Sequence, residues 1–261
     1  MNIAVLVKQV PDTDEVRLDP ETGTMIREGL GTVINPLDLH AIELALQIKR
    51  TLIASVTALT MGPPAADEAM REAVALGVDR AVLLTDRRFS GADTWATSNT
   101  LSEALKILGP FDLIVAGEKA TDGETGQVGP ETAAMLGIPA FTYITSIIST
   151  TESGMIIERS SELGREKWSI SYPVLLTVTK NVNDPQLPTL SGKKRAHRFG
   201  VERLGADDLD LSDDQIGLKG SPTRVVRIHT PKVLRKTTIY ESEDLNEGVH
   251  RVVELLKELK R

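Results

Sequence analysis

The sequence predicts an α/β protein: a three-layer fold with a mostly parallel sheet, an antiparallel extension of that sheet, and a C-terminal arm ending in a helix. Three observations carry this. Four short runs rich in Val, Ile and Leu (Ile3–Val7, Ile53–Thr60, Ala81–Thr85 and Leu113–Val115) have the continuous apolar character of strands buried on both faces. Stretches with helical periodicity lie between them, and strands alternating with helices imply a parallel sheet covered on both sides. After Pro139 the alternation stops, and several strand-like runs follow one another with short turns between them.

Taken in order, the first strand leads to INPLD, Ile34–Asp38. This places Asn35 at an N-cap, Pro36 at the first helical position and Asp38 in the positive first turn. Leu39, Ile42 and Leu46 share one face of the helix that follows. Ala66, Ala69, Ala73 and Leu76 mark a second helix, stopped by Gly77; Leu101, Leu105 and Leu108 mark a third, stopped by Gly109-Pro110. Beyond Pro139, AFTYITSI, GMIIERSS, KWSIS and PVLLTVTK read as strands of the antiparallel extension. From Asn181 to about Leu234 both periodicities fade and Pro, Gly and charge dominate, which reads as extended chain lying on another surface. The last segment, Glu241–Arg261, recovers a helix with Leu245, Val249, Val252, Leu256 and Leu259 on one stripe. The expected division is therefore an α/β domain over 1–200 and an arm with its helix over 201–261.

The 261 residues carry a formal charge of −7, which argues against a broad nucleic-acid surface, because phosphate backbones call for clustered cations. There is no cysteine, which excludes disulfides, thiolate metal sites, Cys-ligated iron–sulfur clusters and Cys nucleophiles. The apolar run of MNIAVLVKQ is too short for a signal peptide, and no segment approaches the ~18 apolar residues of a membrane span. A cytoplasmic location without membrane insertion is expected. His40, His197, His229 and His250 fall in separate segments without metal-ligand spacing, so no metal site is expected. Ser90, Ser98 and Ser191 lack a GxSxG context, so a hydrolase triad is not supported, and no catalytic acid or base is assigned.

The chemistry concentrates in ATDGETGQVGP, Ala120–Pro130, between the apolar DLIVAG and the helical ETAAMLG. Pro130 lacks an N–H and is tolerated only in a first helical turn, which puts the helix start close to Gln127–Gly129. The amides of about Thr125–Gly129 then lack carbonyl partners and face outward at the positive end of a helix dipole. Such a turn suits an anion, and its natural ligand is a phosphate. Gly126 and Gly129 let an oxygen approach the backbone, while the Thr125 hydroxyl and Gln127 amide add donors. Asp122 and Glu124 would repel a phosphate, so they are assigned to ordering the loop or meeting a sugar hydroxyl. A glycine-rich turn with polar caps and no ligand has the same spacing. Neither GxGxxG nor GxxxxGK[ST] is present.

Several segments together resemble the β subunit of electron-transfer flavoproteins: VLVKQVPDT (Val5–Thr13), INPLD (Ile34–Asp38), TMGPP (Thr60–Pro64), GEKATDGETGQVGPETAAMLGIP (Gly117–Pro139), YPVLLTVTK (Tyr172–Lys180) and GSPTRV (Gly220–Val225), in the family's order and nearly end to end. The family turn usually reads D-G-D-T-A-Q-V-G-P; here Glu124 replaces the second Asp and Gly126 the Ala. The resemblance implies a nucleotide-binding α/β domain and a C-terminal arm that wraps the α subunit of a heterodimer. It implies AMP in the pocket for ordinary members and a second FAD for electron-bifurcating ones. Carried across, Thr125, Gly126, Gln127 and Val128 resemble the phosphate-binding positions, and Leu6, Val7, Asn35 and Met61 the adenosine-lining ones, at the C-terminal strand edge where open α/β sheets bind ligands.

TDRRFSGADTWATSNTL, Thr85–Leu101, resembles the bifurcating form. Gly91 and Ala92 open space before a helix that Asp93 or Thr94 would cap, and Thr94, Thr97 and Ser98 supply hydroxyls for a pyrophosphate or ribityl chain. A capped surface helix without a ligand has the same pattern. Trp95 stands where a smaller aliphatic residue is expected, either as core or beside the flavin. The resemblance thus favours FAD over AMP, with NADH as hydride donor. It also implies ferredoxin or flavodoxin as one acceptor and, through the α-subunit FAD, an acyl-CoA dehydrogenase-type or quinone-reductase partner as the other. A carrier holding AMP as structural filler is the redox alternative, and an ATP- or AMP-sensing module the alternative from another class. NDPQLPTLSGKKRA, Asn183–Ala196, resembles the family's recognition loop, with Leu190 as the partner-binding position and Lys193–Arg195 steering an acidic surface; a plain mobile loop with a solvated basic end has the same composition.

Overall fold

A computed structural model describes residues 1–12, 31–226 and 237–259. Two compact units divide the chain, Met1–Val226 and Arg227–Arg261. In the first, the strands are β1 (Asn2–Leu6), β2 (Gln9–Pro11), β3 (Thr32–Ile34), β4 (Ser55–Met61), β5 (Arg80–Leu84), β6 (Leu113–Gly117), β7 (Ala140–Thr150), β8 (Gly154–Ser161), β9 (Gly164–Ser171), β10 (Val174–Val178) and β11 (Glu202–Leu204). The helices are α1 (Pro36–Thr51), α2 (Asp67–Leu76), α3 (Thr94–Leu108), α4 (Val128–Leu136) and α5 (Leu190–Arg198).

Nine strands form one sheet in the order β11-β5-β4-β1-β6-β10-β7-β8-β9, and β2 pairs β3 separately. Every pair from β11 to β7 is parallel; β7–β8 and β8–β9 are antiparallel. The continuous apolar runs are explained by helices on both faces. Ile3, Val5, Val56, Ala58, Leu113, Val115 and Leu176 pack in one cluster with Ile42, Ala45, Met70 and Ala73 of α1 and α2. The alternate residues Ala4, Leu6, Leu59, Ile114 and Leu175 pack in a second with Leu101, Ala104 and Leu105 of α3 and Ala133 of α4. Period-two alternation along each strand thus serves two cores at once.

The expected elements and their stops appear: Gly77 and Gly109 cap the C-termini of α2 and α3. Ile53, expected inside a strand, is 98% exposed and precedes β4. PVLLTVTK, expected in the antiparallel extension, instead returns to the parallel sheet as β10, between β6 and β7. All five residues of β10 are buried, as a strand covered on both sides demands.

The stretch after Asn181, expected as extended chain, contains a helix and a strand. Helix α5 buries only Ala196, so it has no apolar stripe to read; it is held by Arg195, whose guanidinium donates to the Val74 and Val78 carbonyls at the end of α2. Strand β11 adds to the sheet edge, and the Glu202 carboxylate accepts a forked pair of bonds from Arg80 at 2.9 and 3.0 Å. Residues 201–226, assigned to the arm by sequence, fall within the first unit. Residues 227–234 of the expected extended chain lie outside the described residues.

In the second unit, α6 (Leu245–Glu258) has the Tyr240 ring against Gly248 near its start. Leu245, Val249, Val252, Leu256 and the following Leu259 are each 54–83% exposed, a stripe without cover among the described residues.

Leu176 is fully buried in β10 and Ile53 fully outside the core. Leu176→Ala is expected to lower unfolding free energy by about 2–5 kcal/mol, and Ile53→Ala to change it by less than about 0.5 kcal/mol. Urea denaturation of both variants checks the pair.

Candidate functional site

The chain leaves β1 through α1 to reach β4 on one side, whereas β6 flanks β1 on the other. The C-terminal ends of β1 and β6 therefore border a crevice where strand order reverses, the place where open α/β sheets take ligands. Asp38, in the first turn of α1, bridges those two strand ends. One carboxylate oxygen accepts the Lys8 amide at 2.7 Å and the other the Gly117 amide at 3.1 Å, so a single side chain joins the ends of both strands. The fit demands glycine at 117, because a Cβ there would collide with the carboxylate and lie 2.9 Å from the Leu37 backbone. Burial pushes the Asp38 carboxyl up to about 7, against the opposing pull of the Lys8 amide, Asn35, the Gly117 amide and the Lys8 charge.

Asn35 occupies the N-cap position of α1, yet its side chain makes no cap bond. It reaches the loop after β6 instead, donating to the Lys119 carbonyl at 3.0 Å and accepting the Thr121 amide at 3.2 Å. Its own amide donates to the Lys8 carbonyl at 2.8 Å. The loop is further ordered by two ion pairs, Lys8–Asp122 at 2.7 Å and Lys119–Glu124 at 3.1 Å. Both turn carboxylates are thus engaged by lysines. Glu124 has φ 53° and Gly126 φ 66°, so the chain passes twice through the left-handed region here, comfortably only at the glycine.

Helix α4 starts at Val128 with Gln127 as its N-cap residue. Among the described residues no acceptor takes the amides of Thr125, Gly126, Gln127, Val128 or Gly129. The start of α3 lies alongside. The Thr94 hydroxyl is 3.2 Å from Gln127 Oε1 and 3.3 Å from Glu131 Oε1, and the Ser98 hydroxyl donates to Glu131 Oε2 at 3.1 Å. Asp93 caps α3 by accepting the Ala96 amide, and its second oxygen accepts the Thr223 amide and hydroxyl at 2.9 and 2.7 Å. Burial pushes the Asp93 carboxyl up, but the Ala96 amide, the Thr223 and Ser221 hydroxyls and the Thr223 amide outweigh it and leave it below the usual carboxylate range.

The sequence-derived positions therefore share one edge of the sheet: Leu6 and Val7 at the end of β1, Met61 at the end of β4, Asn35 before α1, Asp93, Thr94 and Thr97 at the start of α3, and Asp122 and Thr125–Val128 on the turn. Thr94 and Gln127 touch; Asn35 and Asp122 are tied to the loop. The Leu6 and Val7 side chains are buried in opposite cores, so these residues have their main chain left to offer a ligand. The Ser98 hydroxyl is already held by Glu131. Trp95 is 52% exposed, not core, and lines a shallow concavity of about 480 Å³ with Lys219, Gly220, Ser221 and Pro222. Leu190 stands away from the crevice on α5, 73% exposed; of the basic cluster beside it, Arg195 is occupied by α2. Sequence reasoning missed Lys8, Lys119 and Glu131. A lysine placed one residue beyond a buried strand, at the sheet edge that carries the turn, was a readable signal for Lys8.

Residues 22–208 match the model of the electron transfer flavoprotein domain. The β subunit of an electron transfer flavoprotein from Thermoanaerobacterium thermosaccharolyticum is 45% identical over 98% of both chains. The caffeyl-CoA reductase-Etf complex subunit CarD of Acetobacterium woodii is 42% identical over 99% of this chain and 98% of its own. The protein FixA of Bradyrhizobium diazoefficiens is 40% identical over 88% of this chain and 83% of its own. The chain belongs to the electron transfer flavoprotein family, as a β subunit. Among the described residues no helix is long and apolar enough to cross a membrane.

Asp38→Ala removes the acceptor of two part-buried amides and is expected to cost about 1 kcal/mol for each hydrogen bond lost. A carboxyl raised to about 7 in the folded chain binds its proton more tightly than in the unfolded chain, so it contributes stability at low pH that is lost as pH rises through about 4 to 7. The unfolding free energy of the wild type should therefore fall, relative to Asp38→Asn, across that window. Parallel difference curves would show that Asp38 does not titrate there.

Proposed function

We propose that this chain is the FAD-holding β subunit of an electron-bifurcating electron transfer flavoprotein. The observation that carries the reading is the row of unpaired amides, Thr125–Gly129, at the strand-order switch point of a chain of this family. Their donors and the adjoining hydroxyls fit a diphosphate. Amides of a helix start supply directed N–H groups, the positive α4 terminus favours an anion, and the left-handed Gly126 lets an oxygen come close. FAD is favoured over AMP because the starts of α3 and α4 converge, with the Thr94 hydroxyl 3.2 Å from Gln127 Oε1, which brings two helix N-termini to one place. In this reading Asn35 and the main chain of Leu6, Val7 and Met61 border the adenosine. Thr97 faces the remainder of the coenzyme, and Asp122 orders the loop.

Bound FAD would supply the redox chemistry through its isoalloxazine ring. The chain's own part is to hold the coenzyme by main-chain donors and to set its surroundings; no side chain has to act as acid or base. The assembled heterodimer would take a hydride from NADH. It would divide the two electrons between ferredoxin or flavodoxin and the α-subunit FAD, which serves an acyl-CoA dehydrogenase-type or quinone-reductase partner. A relative whose name joins an Etf to caffeyl-CoA reductase supports an acyl-CoA-linked partner. The apolar stripe of α6 would be covered by the α subunit, and exposed Leu190 would dock the partner dehydrogenase, in the cytoplasm.

Co-purified with its α subunit and extracted with acid, the protein is expected to yield two FAD per heterodimer. One FAD with one AMP would select the AMP-holding carrier, and ATP without flavin a nucleotide-sensing module. Thr125→Ala with Gln127→Ala is expected to weaken β-site retention by about 1 kcal/mol per lost hydrogen bond, while the α-site flavin stays. Equal retention at both sites would displace the phosphate from this turn. Removal of 245–261 should abolish co-purification of the α subunit; an intact heterodimer would remove α6 from that interface.

A further inference from the structure

The carboxylates around the amide turn are not equivalent. Asp122 and Glu124 each face a lysine, Lys8 and Lys119. Glu131, in the first turn of α4, has hydroxyl partners only: Thr94 at 3.3 Å on one oxygen and Ser98 at 3.1 Å on the other. Among the described residues no cation pairs with it. A carboxylate that no cation offsets thus sits at the helix end whose dipole would otherwise attract an anion. It also competes with that anion for the Thr94 proton, since one hydroxyl hydrogen serves one acceptor at a time. The two lysines adjoining the turn are already paired with carboxylates, so the grip on a phosphate comes chiefly from amides and hydroxyls.

We propose that Glu131 is a specificity-determining charge filter at this site. It admits a nucleotide with a single phosphate or a bridged diphosphate and disfavours a nucleoside triphosphate. The inference rests on the nucleotide reading above and deepens it. AMP carries a charge of about −2 at neutral pH. The bridged diphosphate of a dinucleotide carries about the same, because each phosphorus keeps one ionised oxygen. ATP brings about two further negative charges to the vicinity of Glu131. Repulsion between unit charges at the edge of a protein is large enough to separate such ligands by about tenfold or more in affinity, and it is weakened by salt.

The test uses the heterodimer, stripped of its β-site nucleotide and titrated with AMP, ATP and FAD by calorimetry in magnesium-free buffer. At low salt the wild type is expected to bind ATP at least about tenfold more weakly than AMP, with the ratio shrinking several-fold as salt rises toward about 1 M. Glu131→Gln should narrow the low-salt ratio several-fold while keeping an acceptor for Thr94 or Ser98, and Glu131→Asp, which keeps the charge, should preserve it. An ATP-to-AMP ratio near one in the wild type, or a ratio unmoved by both salt and Glu131→Gln, overturns the filter and leaves the nucleotide site standing. If Glu131→Gln fails to assemble, the salt dependence of the wild-type ratio decides alone. If the stripped wild type binds none of the three nucleotides, the nucleotide reading falls and the filter falls with it.

Discussion

A buried carboxylate joins the two strand ends on which the crevice is built. Asp38 takes one amide from the end of β1 and one from the end of β6, at the point where the sheet changes direction. Parallel strands end in amides and carbonyls with no ladder partner, and a crevice between two such ends would leave them orphaned. One side chain from the start of α1 satisfies both and fixes the helix against the sheet at the same time. The constraint propagates outward. Gly117 must lack a side chain to admit the carboxylate, and Asn35, three residues earlier, is left free to hold the loop after β6. The turn that follows is thereby delivered to α4 with its amides unused. Asn35 and the Lys8–Asp122 and Lys119–Glu124 pairs then hold the turn itself.

The site is unusual in how little free positive charge it uses. Phosphate sites often recruit Lys or Arg, but here Lys8 and Lys119 are engaged with Asp122 and Glu124, and their role is to shape the loop. What remains for an anion is main-chain N–H, two helix dipoles and a few hydroxyls. The cost of the arrangement is local: Glu124 adopts a left-handed conformation that most residues avoid.

Much of the architecture was legible in the chain. Continuous Val, Ile and Leu runs between helical stripes announce a parallel sheet covered on both faces, and Pro130 places the start of α4 to within a residue. Strand β10 carries the same all-buried signature as β1 and β6, yet its position after a run of antiparallel strands hid its return to the parallel sheet. Helix α5 has one buried side chain and is secured by an arginine on the Val74 carbonyl of α2 and the Val78 carbonyl just beyond it, an interaction with no sequence period. Strand β11 has three residues, too few for any alternation to register.

Local regularity, then, is what the sequence by itself determined: the alternation of strands and helices in the first half, the helix stops at Gly77 and Gly109, the start of α4 and the apolar stripe of α6. Each is a property of neighbours along the chain, set by steric preference and the period of burial. The tertiary structure alone decided which distant groups meet. It assigned Asn35 to a loop and not to its helix, paired Lys8 with Asp122 across 114 positions, and set Glu131 between two helix starts. Hydrogen bonds and ion pairs act over a few ångströms of space and are indifferent to separation along the chain, so no periodicity records them.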